Sequence, residues 1–178
     1  IQILAEASDR SFFIGKTQLV KLLYIEEVEY YRATRERLTD LRWLFYHYGP
    51  YALELDHVLA QPEFARKQFK TQDEKDFIHY KVAEERIPYG WKVDPKISLL
   101  IKRIVGEWKG KLLEELLDYV YFETEPMQTV KKRGDVLDFN TIKPKNEEQE
   151  ILPLKASSEA EKKVAQLRAK LRPFLEAM

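Results

Sequence analysis

Gly15-Lys16-Thr17-Gln18-Leu19-Val20-Lys21-Leu22-Leu23-Tyr24-Ile25-Glu26-Glu27-Val28-Glu29-Tyr30-Tyr31 is the stretch on which the fold turns. Wound at about 100° per residue, it gathers Leu19, Tyr30, Leu23, Val20, Tyr31, Tyr24 and Val28 onto an arc roughly half the circumference wide. Leu22 and Ile25 fall outside that arc. The spacing therefore predicts a central core helix, covered on more than one side. Glu27 projects into the middle of the apolar arc, between Leu23 and Tyr31. A carboxylate there must be hydrogen-bonded or paired, because burying it bare costs several kcal/mol. Two readings stay open for it: a buried polar network with a tyrosine hydroxyl, histidine or arginine, or a polar contact inside a binding groove. Glu26 points roughly 100° away, so the two carboxylates do not form a dyad on one face.

Downstream, residues 42–51 read Arg42-Trp43-Leu44-Phe45-Tyr46-His47-Tyr48-Gly49-Pro50-Tyr51, half of them Trp, Phe or Tyr. Their β preference predicts an extended or short-strand segment. Gly49-Pro50 punctuates it, with Pro50 placed to start a helix. A short helix comes next over 52–60, with Leu55 and Leu59 on one side. Residues 77–82 alternate, as does part of 87–93, which predicts a small β-hairpin between those two segments. Asp94 is a ready N-cap with Pro95 at the first helical position. Ile97, Leu100, Ile101, Ile104, Val105 and Trp108 then recur at helical spacing up to Gly110. Leu113, Leu116, Leu117, Val120 and Tyr121 make a second amphipathic helix ending before Pro126, and the short connection predicts an αα-hairpin. Lys131-Lys132-Arg133-Gly134-Asp135 reads as a basic turn. Residues 141–157 turn polar and read as a linker or extended segment. Ser158-Glu159-Ala160-Glu161 opens a C-terminal amphipathic helix, 158–178, with a capping box and a stripe of Val164, Leu167, Leu171 and Leu175. That stripe is expected to dock on the domain, with a homodimer through it left open. The fold class is mainly α with minor β (α+β), with a helical domain over 1–140.

The 178 residues carry 44% hydrophobic and 12% aromatic side chains, enough for a real core. No apolar run approaches the roughly 20 residues that cross a bilayer, and no secretion signal is visible. The sequence opens on Ile1 rather than Met, which leaves room for a short preceding segment. With no cysteine, disulfides, thiolate nucleophiles and Cys-based zinc sites are excluded, and a reducing, cytoplasmic setting is expected. Thirty Lys and Arg balance thirty Asp and Glu, so no overall field steers nucleic acid.

Catalytic constellations are missing from the pattern. The six glycines form no phosphate-binding loop, and the three histidines (His47, His57, His79) are isolated in sequence. Glu54, Asp56 and His57 with His47 lack metal-ligand spacing, and Ser11 lacks a partnering base. No catalytic residue, metal or cofactor is therefore expected. An enzyme would need Glu27, His47 and nearby tyrosines to converge in a pocket, with Glu27 unpaired and facing a cavity. A nucleic-acid-binding regulator is the stronger rival. It would join Lys131, Lys132 and Arg133 to the basic C-terminal helix, where Lys155, Lys162, Lys163, Arg168, Lys170 and Arg172 outnumber Glu159 and Glu161, six against two. Most aromatics, however, interleave with core positions rather than with Lys and Arg.

Gln18-Leu19-Val20-Lys21-Leu22-Leu23-Tyr24, continuing to Tyr30-Tyr31, resembles the leading helix of the Panacea domain, the family of SocA-like antitoxins. Tyr48-Gly49-Pro50 is similar to that family's aromatic segment ending in Tyr-Gly-Pro. Leu116-Leu117-Asp118-Tyr119-Val120-Tyr121 with Thr124-Glu125-Pro126 is similar to a further family helix. Together these motifs cover roughly residues 1–140. The resemblance implies a helical fold with minor β-structure in a protein of prokaryotic or phage origin. It also implies a non-enzymatic antitoxin that neutralises a cognate toxin by direct contact, or a proteolytic adaptor that hands its partner to a protease system. Tyrosine density beside a rigid turn points to Tyr46, Tyr48 and Tyr51, then Lys21 and Tyr24, as the partner surface. The competing reading is that these tyrosines only cap the core around the first helix.

Overall fold

The computed structural model describes residues 2–7, 14–70, 76–83 and 92–144. Helices α1 (Gln2–Ala7), α2 (Lys16–Thr34), α3 (Glu54–Leu59), α4 (Pro95–Trp108), α5 (Leu113–Glu123) and α6 (Glu125–Thr129) alternate with five short strands, β1 (Ile14–Gly15), β2 (Leu44–Tyr46), β3 (Gly49–Tyr51), β4 (Phe64–Lys70) and β5 (Asp76–Val82). The architecture is mainly α with a small antiparallel β component. The predicted C-terminal helix, the 145–157 part of the polar segment and Ser11 lie outside the described residues.

α2 is the central helix, as its two-sided apolar pattern predicts. Leu19, Val20, Leu22, Tyr24, Ile25, Val28 and Tyr31 are all buried along it. Leu4 of α1, Ile101 and Ile104 of α4, Leu116 and Val120 of α5, and Tyr80 of β5 complete the same core. The helix ends at Arg35, whose left-handed conformation (φ 63°) returns its N–H to the Tyr31 carbonyl at 2.8 Å. Asp94 caps α4 as predicted, accepting from the Lys96 and Ile97 backbone N–H groups at 2.8 and 3.3 Å. At α5, Glu115 reaches back to the Leu112 N–H at 2.8 Å. The two helices of the predicted αα-hairpin touch through Trp108 and Tyr119, ring centroids 5.0 Å apart.

One expectation falls mostly outside the described residues, and one is corrected. Strand β5 pairs with β4, from Phe64↔Val82 to Lys70↔Asp76, and with β1 on its other side. Of the expected second strand, 87–91 lie outside the described residues, while Lys92 and Val93 are irregular. β4 escaped notice because it is an edge strand whose middle, Arg66-Lys67-Gln68, is exposed and charged or polar, as unpaired edges commonly are. Pro50, expected to open a helix, lies within β3 instead. There its fixed φ suits the extended backbone, and the helix begins later, at Glu54.

Glu27 decides how the chain continues after α2. Its fully buried carboxylate accepts from Arg37 Nε (2.6 Å), the Leu38 N–H (3.0 Å), the Thr39 N–H (3.2 Å) and the Thr39 hydroxyl (2.5 Å). Arg37 also lies over the Phe139 ring at 4.1 Å and donates to the Leu41 carbonyl. The loop so gathered delivers Trp43 into the core, edge-on to Tyr24 at 5.3 Å. Further along α2, Arg32 binds Glu125 through both guanidinium nitrogens at 2.7 and 2.8 Å. Arg35 donates to the Ile142 carbonyl at 2.6 Å, which fastens the segment after the 3₁₀ turn Phe139–Thr141 to the same helix.

Glu26 is the opposite case. It is 1% exposed, and its Oε1 has no hydrogen-bond partner among the described residues. Burial pushes its carboxyl up to about 8, from an ordinary 4.5.

The two acids should respond differently to substitution. Glu27→Ala strands two backbone N–H groups and a hydroxyl, so a loss on the order of 3 kcal/mol is expected from urea midpoints at unchanged m. A loss below about 1 kcal/mol would mean that Trp43 packing alone holds the loop. For Glu26, the folded state keeps a proton that the unfolded chain releases above pH 4.5. That stabilising contribution is complete below pH 4.5 and is lost as pH rises through about 8. Thermal melts of Glu26→Gln should therefore track the original protein at about pH 5 and exceed it at about pH 9, whereas a constant offset would contradict the burial cost.

Candidate functional site

The first two turns of α2 bring Lys16 over Val20 and Thr17 over Lys21, each pair one turn apart. The β2–β3 hairpin lies beside this face, in register Leu44↔Tyr51, Phe45↔Pro50 and Tyr46↔Gly49. Only glycine suits position 49. Its φ is 87°, and a Cβ there would stand 3.2 Å from the Tyr121 ring. The turn is therefore held against α5, and it presents Tyr46 and Tyr48 at 41% and 43% exposure. Between hairpin, α2 and α3 lies a cleft of about 380 Å³.

Its walls carry an ionic corner and an aromatic edge. Asp56 of α3 accepts from the Lys16 ammonium and from the Tyr51 hydroxyl, the latter at 2.8 Å. The Lys16 ammonium also stands 5.3 Å from the centroid of the Tyr51 ring. Lys16 holds the Asp56 carboxyl below its ordinary value. Burial raises the Tyr51 phenol, with Lys16 pulling the other way. Burial works against the charge on Lys16 itself, but Asp56 and Tyr51 outweigh it and raise its pKa. Tyr46 lies across from Tyr51, ring centroids 5.8 Å apart, with His47 beside it.

Lys21 lines the same cleft. It is 2% exposed, and its ammonium donates to the Pro50 carbonyl at 2.7 Å, tying α2 to the hairpin. Burial pulls its pKa down to about 7.

The structure thus brings Lys21, Tyr46, Tyr48 and Tyr51 together, and it separates them from Tyr24 and Glu27. Tyr24 is fully buried against Trp43 and Phe139, with its hydroxyl 3.1 Å from that of Thr124, so it supports the core rather than meeting a partner. Glu27 is engaged by four donors and does not line the cleft, so it does not converge with His47. Lys16 was missed by sequence reasoning, and Asp56 was weighed there only as a metal ligand. Lys16 was findable from its one-turn spacing to Val20, whereas nothing local links it to an acid forty residues away.

A second hollow, about 560 Å³, lies among α2, α4, α5 and α6, and four of its charged side chains engage one another. Arg32 holds Glu125 and Glu29, and Arg103 approaches Glu29 at 3.6 Å. Among the described residues, no group of three or more His, Asp or Glu could hold a metal ion. Nor is any helix there long and apolar enough to cross a membrane.

Comparisons with curated proteins and with solved structures give no match. The family model described as antitoxin SocA-like, Panacea domain, matches residues 19–166, from within α2 to beyond the 3₁₀ turn. Since that match takes in most of the sequence, the chain belongs to the SocA-like antitoxin family, the Panacea domain family.

Proposed function

We propose that the protein is the antitoxin half of a toxin–antitoxin pair, and that it neutralises its toxin by direct contact at the cleft beside the β2–β3 hairpin. Membership of the SocA-like family supports the toxin–antitoxin role. One observation carries the choice of surface: two half-exposed tyrosines sit on a turn that Gly49 packs against α5, beside a concave, partly apolar cleft. Rigid aromatic anchors of this kind lose little entropy on binding and supply most of the energy at protein interfaces. The reading includes a cytoplasmic location and no catalytic step.

The test is co-expression with the toxin encoded by the neighbouring open reading frame, scored by growth rescue and co-purification. Tyr46→Ala with Tyr48→Ala should weaken the complex at least about 30-fold, roughly 2 kcal/mol, while the melting temperature stays within about 3 °C. Tyr51 is left intact because its hydroxyl binds Asp56. A double variant that rescues growth as well as the original protein would overturn this surface.

A further inference from the structure

Lys21 is a buried cation that the fold leaves incompletely satisfied. An ammonium has three N–H donors, and the Pro50 carbonyl takes one. Among the described residues no carboxylate pairs with Lys21. The acid of the cleft, Asp56, is already engaged by Lys16 and by the Tyr51 hydroxyl. The other polar side chains of the aromatic edge, Tyr46, His47 and Tyr48, bring no carboxylate to the cleft. Once Lys16 and Asp56 cancel, the charge still wanting a partner is that of Lys21. Removing a cation from water is strongly unfavourable unless an opposite charge meets it.

We infer that the cleft receives a carboxylate of the toxin, from an acidic side chain flanked by an apolar or aromatic residue, and that the Lys21 ammonium binds it. This rests on the proposed contact for the partner and adds its chemistry. Charge complementarity selects the acid, and the apolar lining of Val20 and Leu53 with the rings of Tyr46 and Tyr51 selects its neighbour. The arriving carboxylate supplies the counter-charge that Lys21 lacks and favours its protonated form. An uncomplexed protein with a lysine near neutrality agrees with a site kept waiting for an anion.

The first arm of the test needs no toxin. The full chain, labelled with ¹³C-lysine, is titrated with N-acetyl-L-tyrosine and, separately, with N-acetyl-L-tyrosinamide, which lacks the carboxylate. A saturable shift of the Lys21 ε-carbon signal is expected with the acid and not with the amide. Equal responses to both, or no response to either, would overturn the inference. The second arm is Lys21→Met, which keeps the shape and removes the charge. Its melting temperature should stay within about 3 °C of the original protein's, because removal of a buried charge offsets loss of the hydrogen bond to the Pro50 carbonyl. Its affinity for the toxin should fall at least tenfold. Loss of toxin by the Tyr46 and Tyr48 double variant with full retention by Lys21→Met would overturn the inference and leave the proposed contact standing. A toxin indifferent to both would overturn the contact itself.

Discussion

Glu27 satisfies four donors with one buried carboxylate, and the loop it gathers fixes the path of the chain from α2 to the β2–β3 hairpin. Residues 37–41 could leave α2 in many directions. The carboxylate selects one by accepting from two consecutive backbone N–H groups, which only a tightly turned chain can offer together. Arg37 adds a charge-assisted bond and then covers Phe139, so that the loop and the 3₁₀ turn are held by one side chain. Trp43 enters the core next, and β2 and β3 start from there. Every residue of the tyrosine surface descends from that tie.

α2 carries three buried charged groups, Lys21, Glu26 and Glu27, with three different settlements. Glu27 is fully bonded and structural. Glu26 is held in apolar surroundings and keeps its proton up to about pH 8. Lys21 has one acceptor and a cleft. Roughly 140° separates Lys21 from Glu26 around the helix, so the two cannot neutralise each other. A helix covered on all sides would be more stable with aliphatic residues at these positions. The one of the three that faces a concavity is the one for which a binding role has geometric support.

Much of this was legible in the sequence, because the signals were local. Two-sided apolar spacing marked α2 as central, Asp94-Pro95 marked the start of α4, and aromatic density over 42–51 marked an extended segment beside the cleft. Glu27 was recognisable as a buried acid in need of partners. Those partners were not, since they come from a loop that has no pattern of its own. The burial of Glu26 was not foreseen, because it depends on what packs over that side of α2. Tyr24 was grouped with the contact tyrosines for their density beside the turn, yet Thr124 and Trp43 enclose it from distant parts of the chain. β4 stayed hidden behind its charged middle, and with it its pairing with β5.

Amide hydrogen exchange of the protein with and without its toxin tests the central claim most directly, because it reports the contact surface without altering a residue. Slowed exchange is expected at residues 44–56 and in the first turns of α2, with the hollow lined by Arg32, Arg103 and Glu125 unchanged. Protection confined to that second hollow, with the hairpin exchanging as in the free protein, would contradict that claim.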